Sequence, residues 1–430
     1  PAVAARIGKG KGKPVAAWED LFGGPARLLA VEAAGLDLLC LDAPHLYDRP
    51  GSIYLGADGR DWPDYAERFA ALSWVGAEIA GGLLPDWTPA LVHAHDWQAG
   101  LLATYLAQAG RAVPTVLTIH NIAFQGIVEP WKLGGLRLDP AGYTAQGFEF
   151  WGRINMLKAG LTAASAVTTV SPTYAEELLT PAFGMGLEGV LSARRGDLYG
   201  ILNGIDLAAW APATDPAVKP YKTPPGKAKN KAALIAEFGL DPAAPGPLAI
   251  VVSRLTAQKG LDLLLSALPE LLDGGGQLAL LGSGDGGLED AFDRLNAHPR
   301  IGVRIGYDEA LSHRMFAGGD AVLVPSRFEP CGLTQLYGLR YGAVPVVART
   351  GGLADTVIHA NTAALRAGVA TGLQFHPVTA DALAASLTRL TALYQEPKVW
   401  AKMQRTGMAQ AVGWDRAAAQ YAALYRGLAD

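Results

Sequence analysis

The sequence predicts an α/β protein built from two doubly wound domains, and three observations lead there. The chain has 430 residues, more than one compact core usually serves, so two cores are expected. Apolar runs of strand length alternate with helical patterns, as in a parallel sheet covered on both faces. That alternation stops after Asp206 and restarts at Leu248.

The first half offers RLLAVEAA and LDLLCLD, then ALVHAHD, TVLTIHN, AVTTVS and LYGILNG, with helices such as 65–80 between them. All are read as parts of one parallel sheet and its covering layers. Residues 208–247 hold eight prolines, the basic run KAKNK and one convincing helix at 229–238, and read as an interdomain connection. LAIVVS, QLALLG, IGVRIG, DAVLVP and AVPVVA follow, each paired with a helical pattern. Residues 414–428 carry an apolar stripe of helical period. The organisation read from this is a first domain at 1–207, a linker at 208–247, a second domain at 248–413 and a final helix at 414–430. Open parallel sheets bind ligands at the carboxyl ends of their strands, so the chemistry is sought there.

Half of the residues are apolar, 18% are charged and the formal net charge is only −4, which points away from nucleic acid and anionic membranes. The longest apolar runs fall far short of the roughly 20 residues that a membrane span needs. Two cysteines, Cys40 and Cys331, make no disulfide framework in a chain this size, so a reducing, cytoplasmic location is expected. Cys40, inside LDLLCLD, reads as a buried strand residue. The basic runs 9–13 and 227–231 read as solvated loops.

The densest stretch is SRFEPCGLTQLYGLRYGAVPVVARTGGLADTV, residues 326–357. Glu329 stands in a turn after an apolar run, and Gly332-Leu333-Thr334 opens a helix whose first N–H groups lack internal acceptors, a natural anion site. Thr350-Gly351-Gly352 closes a second run with backbone that a ligand could approach. Arg254 and Lys259, in SRLTAQKG, bracket another helix start, where two cations suit a diphosphate. His93, His95 and Asp96 in VHAHDWQAG look like metal ligands, but no further cluster completes a shell, so Asp96 is read instead as a functional carboxylate in the turn. His120 lies just past another strand. Gly282, Gly284 and Gly287 spell G-x-G-x-x-G, yet after the second strand of their domain rather than the first, which weakens a dinucleotide reading. The sequence has no Asp-x-Asp, and no carboxylate pair marks a glycoside hydrolase.

Several long motifs in order, namely 326–357, VVSRLTAQKGLDLLLSALPELL, HAHDWQAGL, TIHNIAFQG, ILNGID, APHLYDRPGSIY and KAGLTAASAVTTVSPTYAEEL, resemble the bacterial glycogen synthases and plant starch synthases. The resemblance covers almost the whole chain. It implies the GT-B fold, two Rossmann-like domains facing across a cleft, with the final helix returning to the first domain. It implies transfer of glucose from ADP-glucose to the non-reducing 4-hydroxyl of an α-1,4-glucan, with retention and without a metal or other cofactor.

By the same motif match, Arg254 and Lys259 would contact the diphosphate, with backbone N–H groups from Leu333 and Thr334 and with Thr350 and Gly351 nearby. Glu329 would hold hydroxyls of the donor glucose beside Cys331, and Tyr307 would stack on adenine. Asp96, His120 and Asn203 would line the sugar and acceptor side, with Tyr54 near the acceptor. Related GT-B transferases carry a second Glu eight positions after the first; Tyr337 stands there, in keeping with the glucan synthases.

The sequence begins at Pro1, downstream of the strand and Lys-Thr-Gly-Gly-Leu loop with which this family starts. The expectation is therefore a shortened first domain and full activity in a longer chain. Two alternatives remain: a chain that only binds nucleotide or glucan, and a GT-B transferase with another nucleotide-sugar donor.

Overall fold

The computed structural model describes residues 12–50, 52–56 and 59–429. The Lys9 end of the first basic run lies outside them. The chain divides into two compact units: unit 1 comprises 1–169, 177–199 and 422–430, and unit 2 comprises 170–176 and 200–421.

In unit 1, β1 (Lys13–Trp18), β2 (Ala26–Ala33) and β3 (Leu36–Asp42) form a separate antiparallel sheet. The two runs expected at the start of a parallel sheet are thus an antiparallel pair. Ala34 and Gly35, both at positive φ (54° and 74°), join them. Two left-handed residues make a tight hairpin turn, whereas a parallel crossover needs a dozen residues or more. Cys40 lies on this sheet and is half-buried rather than buried, because only one face of it packs against a core, that of Leu21, Leu28, Leu46 and Val75.

The parallel element of unit 1 comprises β4 (Val92–His95), β5 (Thr115–Ile119), β9 (Ala166–Thr169) and β10 (Leu198–Gly200), in the order β10-β9-β5-β4. A small antiparallel sheet of β6 (Ile127–Val128), β7 (Glu149–Phe150) and β8 (Arg153–Asn155) lies between in sequence. β4 pairs with β5 and β5 with β9, both parallel. β5 and β9 are buried along their whole length, as strands covered on both faces should be.

Unit 2 is built on a six-stranded sheet of order β13-β12-β11-β14-β15-β16: β11 (Leu248–Val252), β12 (Gln277–Gly282), β13 (Ile301–Ile305), β14 (Ala321–Val324), β15 (Val344–Ala348) and β16 (Leu373–Phe375). Every recorded pairing in it is parallel. Successive residues alternate between two cores: Ala249, Val251, Leu278 and Leu280 enter one, while Leu248, Ile250, Ala279 and Leu281 enter the other. Period-two side chains feeding two cores establish that helices cover both faces.

The proline-rich segment packs into unit 2. Tyr221 is buried and donates to the Tyr341 carbonyl at 2.8 Å. Lys227, expected in a solvated run, is buried, and its ammonium donates to the carbonyls of Phe316, Ala317 and Tyr341 at 2.8–2.9 Å. These are the last carbonyls of the helices Glu309–Gly318 and Thr334–Tyr341, which have no acceptor role left inside their helices. Lys231 pairs with Asp320 at 2.6 Å. These partners draw Lys227 and Lys231 inward, while Lys229 between them stays exposed.

Candidate active site

The residues that the motif match assigns to the donor lie at the carboxyl ends of β11 to β15. Lys259 Nζ lies 2.6 Å from Glu329 Oε2, and the Ser326 hydroxyl donates to the same oxygen at 2.8 Å. Glu329 is buried, and a buried carboxylate needs such partners. The loop that carries it is clamped to the Lys259 loop. Arg327 grips Asp262 with two bonds of 2.6 and 2.7 Å, its guanidinium meets the Ala257 carbonyl at 2.6 Å, and its N–H meets the Gln258 carbonyl at 2.9 Å.

The glycines Gly351 and Gly352 are explained by how closely this turn meets the Glu329 loop. A Cβ on either would lie 2.1 Å from a carbonyl oxygen, of Glu329 for Gly351 and of Cys331 for Gly352. Gly352 N donates to the carbonyls of Glu329 and Pro330, both at 3.1 Å. Thr350 is buried beside them. Cys331 is buried too, and burial pushes its thiol up to about 11 against a backbone hydrogen bond from Asn203. Gln335, the second residue of the helix Thr334–Tyr341, donates to the carbonyls of Cys331 and Gly332 at 3.2 and 2.7 Å, which fixes the entry of Leu333 and Thr334.

Arg254, Tyr307 and Thr334 line one cavity of about 390 Å³, together with Trp210, Ser283, Glu309 and Tyr337. Tyr307 is 86% exposed at its rim, a free aromatic face. Asn203, whose backbone meets Cys331, lines a second cavity of about 300 Å³ with Asp355, Gln410 and Arg416. Gly282 and Gly284 have a packing reason rather than a dinucleotide one. A Cβ there would lie 2.0 Å from the Ser253 carbonyl oxygen and 2.4 Å from that of Leu255.

In unit 1, Asp96 ends β4 at φ 55°, ψ −168°, a backbone region that almost only glycine occupies. Its Oδ1 accepts the His120 N–H at 2.7 Å. Burial raises its pKa, against the hydrogen bond from His120. His120 Nε2 lies 3.0 Å from His95 Nδ1. The ring nitrogens of His93 lie 2.6 Å from the hydroxyls of Tyr425 and Thr118. Burial, reinforced by His95 and His120, pushes it down to about 4. Tyr54 joins this group through Gln98, whose amide donates to its hydroxyl at 3.2 Å. Unit 1 thus brings Asp96, His120 and Tyr54 to the neighbouring ends of β4 and β5, and unit 2 gathers Lys259 with Glu329, and Arg254 with Tyr307 and Thr334.

Ser326, Gln98 and Gln335 were not singled out in the sequence, although each lies within a quoted motif. Trp210, Asp215 and His313 carried no local signal.

The family model for the starch synthase catalytic domain matches residues 7–193, and that for glycosyl transferases group 1 matches residues 238–406. A glycogen synthase of Jannaschia sp. (strain CCS1) is 60% identical over 419 residues, 97% of this chain and 89% of that protein. One of Paracoccus denitrificans is 61% identical over 412 residues, 95% and 86%. The solved catalytic domain of starch synthase IV from Arabidopsis thaliana, bound to ADP and acarbose, superposes with a TM-score of 0.84 at 30% identity, covering 96% of this chain and 88% of that one. The architecture is that of a GT-B glycosyltransferase, and the chain belongs to the glycogen synthase family of glucan-synthesising enzymes.

Proposed function

We propose that the donor is ADP-glucose and that glucose passes to the non-reducing 4-hydroxyl of an α-1,4-glucan with retention of configuration. The observation that carries this is the cavity where Arg254, the exposed Tyr307 and the helix start at Thr334 meet: cation, aromatic face and orphan N–H groups suit a nucleoside diphosphate. The Arabidopsis relative bound to ADP and acarbose supports the same donor and acceptor.

In this reading the bond from C1 of glucose to the phosphate oxygen breaks while the acceptor O4 bonds C1 from the same face. The proton of O4 passes to the departing phosphate oxygen, so no protein nucleophile is needed. Arg254, Lys259 and the N–H groups of Leu333 and Thr334 take the charge that builds on ADP, the largest contribution such a site can make. Thr350 and Gly351 shape the loop beside them. Glu329 holds donor hydroxyls and contributes by orientation, with Cys331 kept as a neutral thiol next to it. Asp96, His120 and Asn203 are assigned to the sugar and acceptor, and Tyr54 to the acceptor.

No metal or cofactor enters the scheme. The two cysteines outside any disulfide suit a cytoplasmic enzyme, and among the described residues no helix is long and apolar enough to cross a membrane. The test is incubation of this chain, and of a version extended upstream, with radiolabelled ADP-glucose and glycogen, with and without EDTA. Label in the glucan, undiminished by EDTA, is expected. No label with either version overturns the reading.

A further inference from the structure

Trp210 belongs to the proline-rich segment, yet its indole lines the donor cavity. His313 stacks on it at 3.8 Å between ring centroids with 14° between planes, and Tyr337 stacks at 3.7 Å and 19°. Two near-parallel rings this close to one centroid cannot share a face, since ring carbons need about 3.5 Å of separation. The indole is therefore sandwiched, with Phe316 and Tyr341 edge-on at 5.7 and 6.0 Å.

A buried carboxylate anchors the sandwich. Asp215 Oδ2 lies 2.6 Å from His313 Nδ1 and also accepts the Tyr341 hydroxyl, while its Oδ1 accepts the Ala217 N–H at 2.9 Å. Burial opposes ionisation of Asp215, but the bonds from Tyr341 and His313 outweigh it and hold the carboxyl below its usual range. Asp215 thus fixes His313, His313 fixes Trp210, and Trp210 fixes Tyr337. Tyr337 follows Thr334 by three residues in one helix, so it shares that face one turn on. Arg254, Thr334, Tyr337, Trp210 and Tyr307 all line the one cavity; in the ADP-glucose reading Arg254 and Thr334 take the phosphates and the aromatic rings take the base.

We infer that Asp215, His313 and Trp210 form a positioning chain that holds Tyr337 as one wall of the base-binding end of the cavity, and that this wall selects a purine over a pyrimidine donor. This rests on the ADP-glucose reading. A fixed aromatic wall gains most from the larger ring system, because stacking scales with shared area. Freed from the indole, Tyr337 loses its fixed plane, and the purine loses more than the pyrimidine.

The experiment measures ADP and UDP binding by calorimetry, and kinetics with ADP-glucose and UDP-glucose on glycogen, for the unaltered chain, Trp210→Ala, Trp210→Phe and Asp215→Asn. Trp210→Ala should weaken ADP binding about three- to tenfold, the worth of one aromatic pair. UDP binding and the KM for glycogen should change by less than about twofold, and loss of a donor wall should show in the KM for ADP-glucose and not in kcat. Trp210→Phe should restore most of the preference. Asp215→Asn, which keeps the side-chain volume, should shift it in the direction of Trp210→Ala and covers the case in which that variant does not fold. An unaltered chain that binds no ADP overturns the donor reading and this inference with it. ADP binding by the unaltered chain, with an unchanged ADP-to-UDP ratio in Asp215→Asn and in Trp210→Ala where that variant folds, overturns this inference alone.

Discussion

Lys259 and Glu329 form a short ion pair, 2.6 Å from Nζ to Oε2, with side chains only 18% and 10% exposed. Removing either partner strands a mostly desolvated charge on the other, which is more damaging than losing the pair. Glu329→Ala and Lys259→Ala should each lower turnover by orders of magnitude, and the double variant should lose less than the sum of the two. The measure is kcat/KM for ADP-glucose in a double-mutant cycle, with a coupling of at least about 1 kcal/mol expected. Additive losses would show that the two groups act separately.

The glycines around the site sort by what a Cβ would meet. Gly351 is at φ +43° with Glu329 O at 2.1 Å, and Gly284 has Leu255 O at 2.4 Å, whereas Gly286 has open space. Backbone atoms cannot yield as a flexible side chain does. Gly351→Ala and Gly284→Ala should therefore unfold at clearly lower temperature, while Gly286→Ala, at the start of a helix, should match the unaltered chain or exceed it slightly. Calorimetric melting of the three decides this.

The parts of the site that were legible in the sequence are local ones. Glu329, Thr334 and Gly351 each lie at a strand end, a turn or a helix start within one short window, so the local pattern places them there. Asp215 meets Tyr341 across 126 residues and His313 across 98, and no window holds such a pair. The inward fold of Lys227 was hidden for the same reason, since its three carbonyl partners come from two distant helix ends. The hairpin of β2 and β3 was hidden less deeply, because the Ala34-Gly35 spacing is itself the signal of an antiparallel turn.

Lys227 meets three carbonyls with the three N–H groups of an ammonium. Burial nevertheless pushes its pKa down to about 7. Below the ordinary lysine value the unfolded chain keeps its proton and the folded one gives it up near pH 7. This group's contribution to stability therefore rises with pH between about 7 and 10.5 and is flat below that window. Lys227→Met keeps the stem but takes the ammonium donor from the Phe316 and Ala317 carbonyls and leaves that of Tyr341 with the Tyr221 hydroxyl alone, and should cost about 2 kcal/mol or more. Urea unfolding at pH 7 and pH 9 checks both: the unaltered chain should gain relative to Lys227→Met at the higher pH.

Asp96 holds its carboxylate at the end of β4 only by accepting a backbone conformation, φ 55° and ψ −168°, that a side chain disfavours. Asp96→Ala and Asp96→Gly both remove the acceptor for the His120 N–H, and differ only in whether a Cβ remains on that strained backbone. Glycine visits this region without steric cost, and the strain is worth about 1–3 kcal/mol. Asp96→Gly should therefore be more stable than Asp96→Ala by about 1 kcal/mol or more, even though glycine elsewhere in a chain destabilises. Both should lose most transfer activity, because the carboxylate is gone in each. Equal unfolding midpoints would show that the backbone at Asp96 carries no strain, and retained activity in Asp96→Gly would remove Asp96 from the sugar side of the reaction.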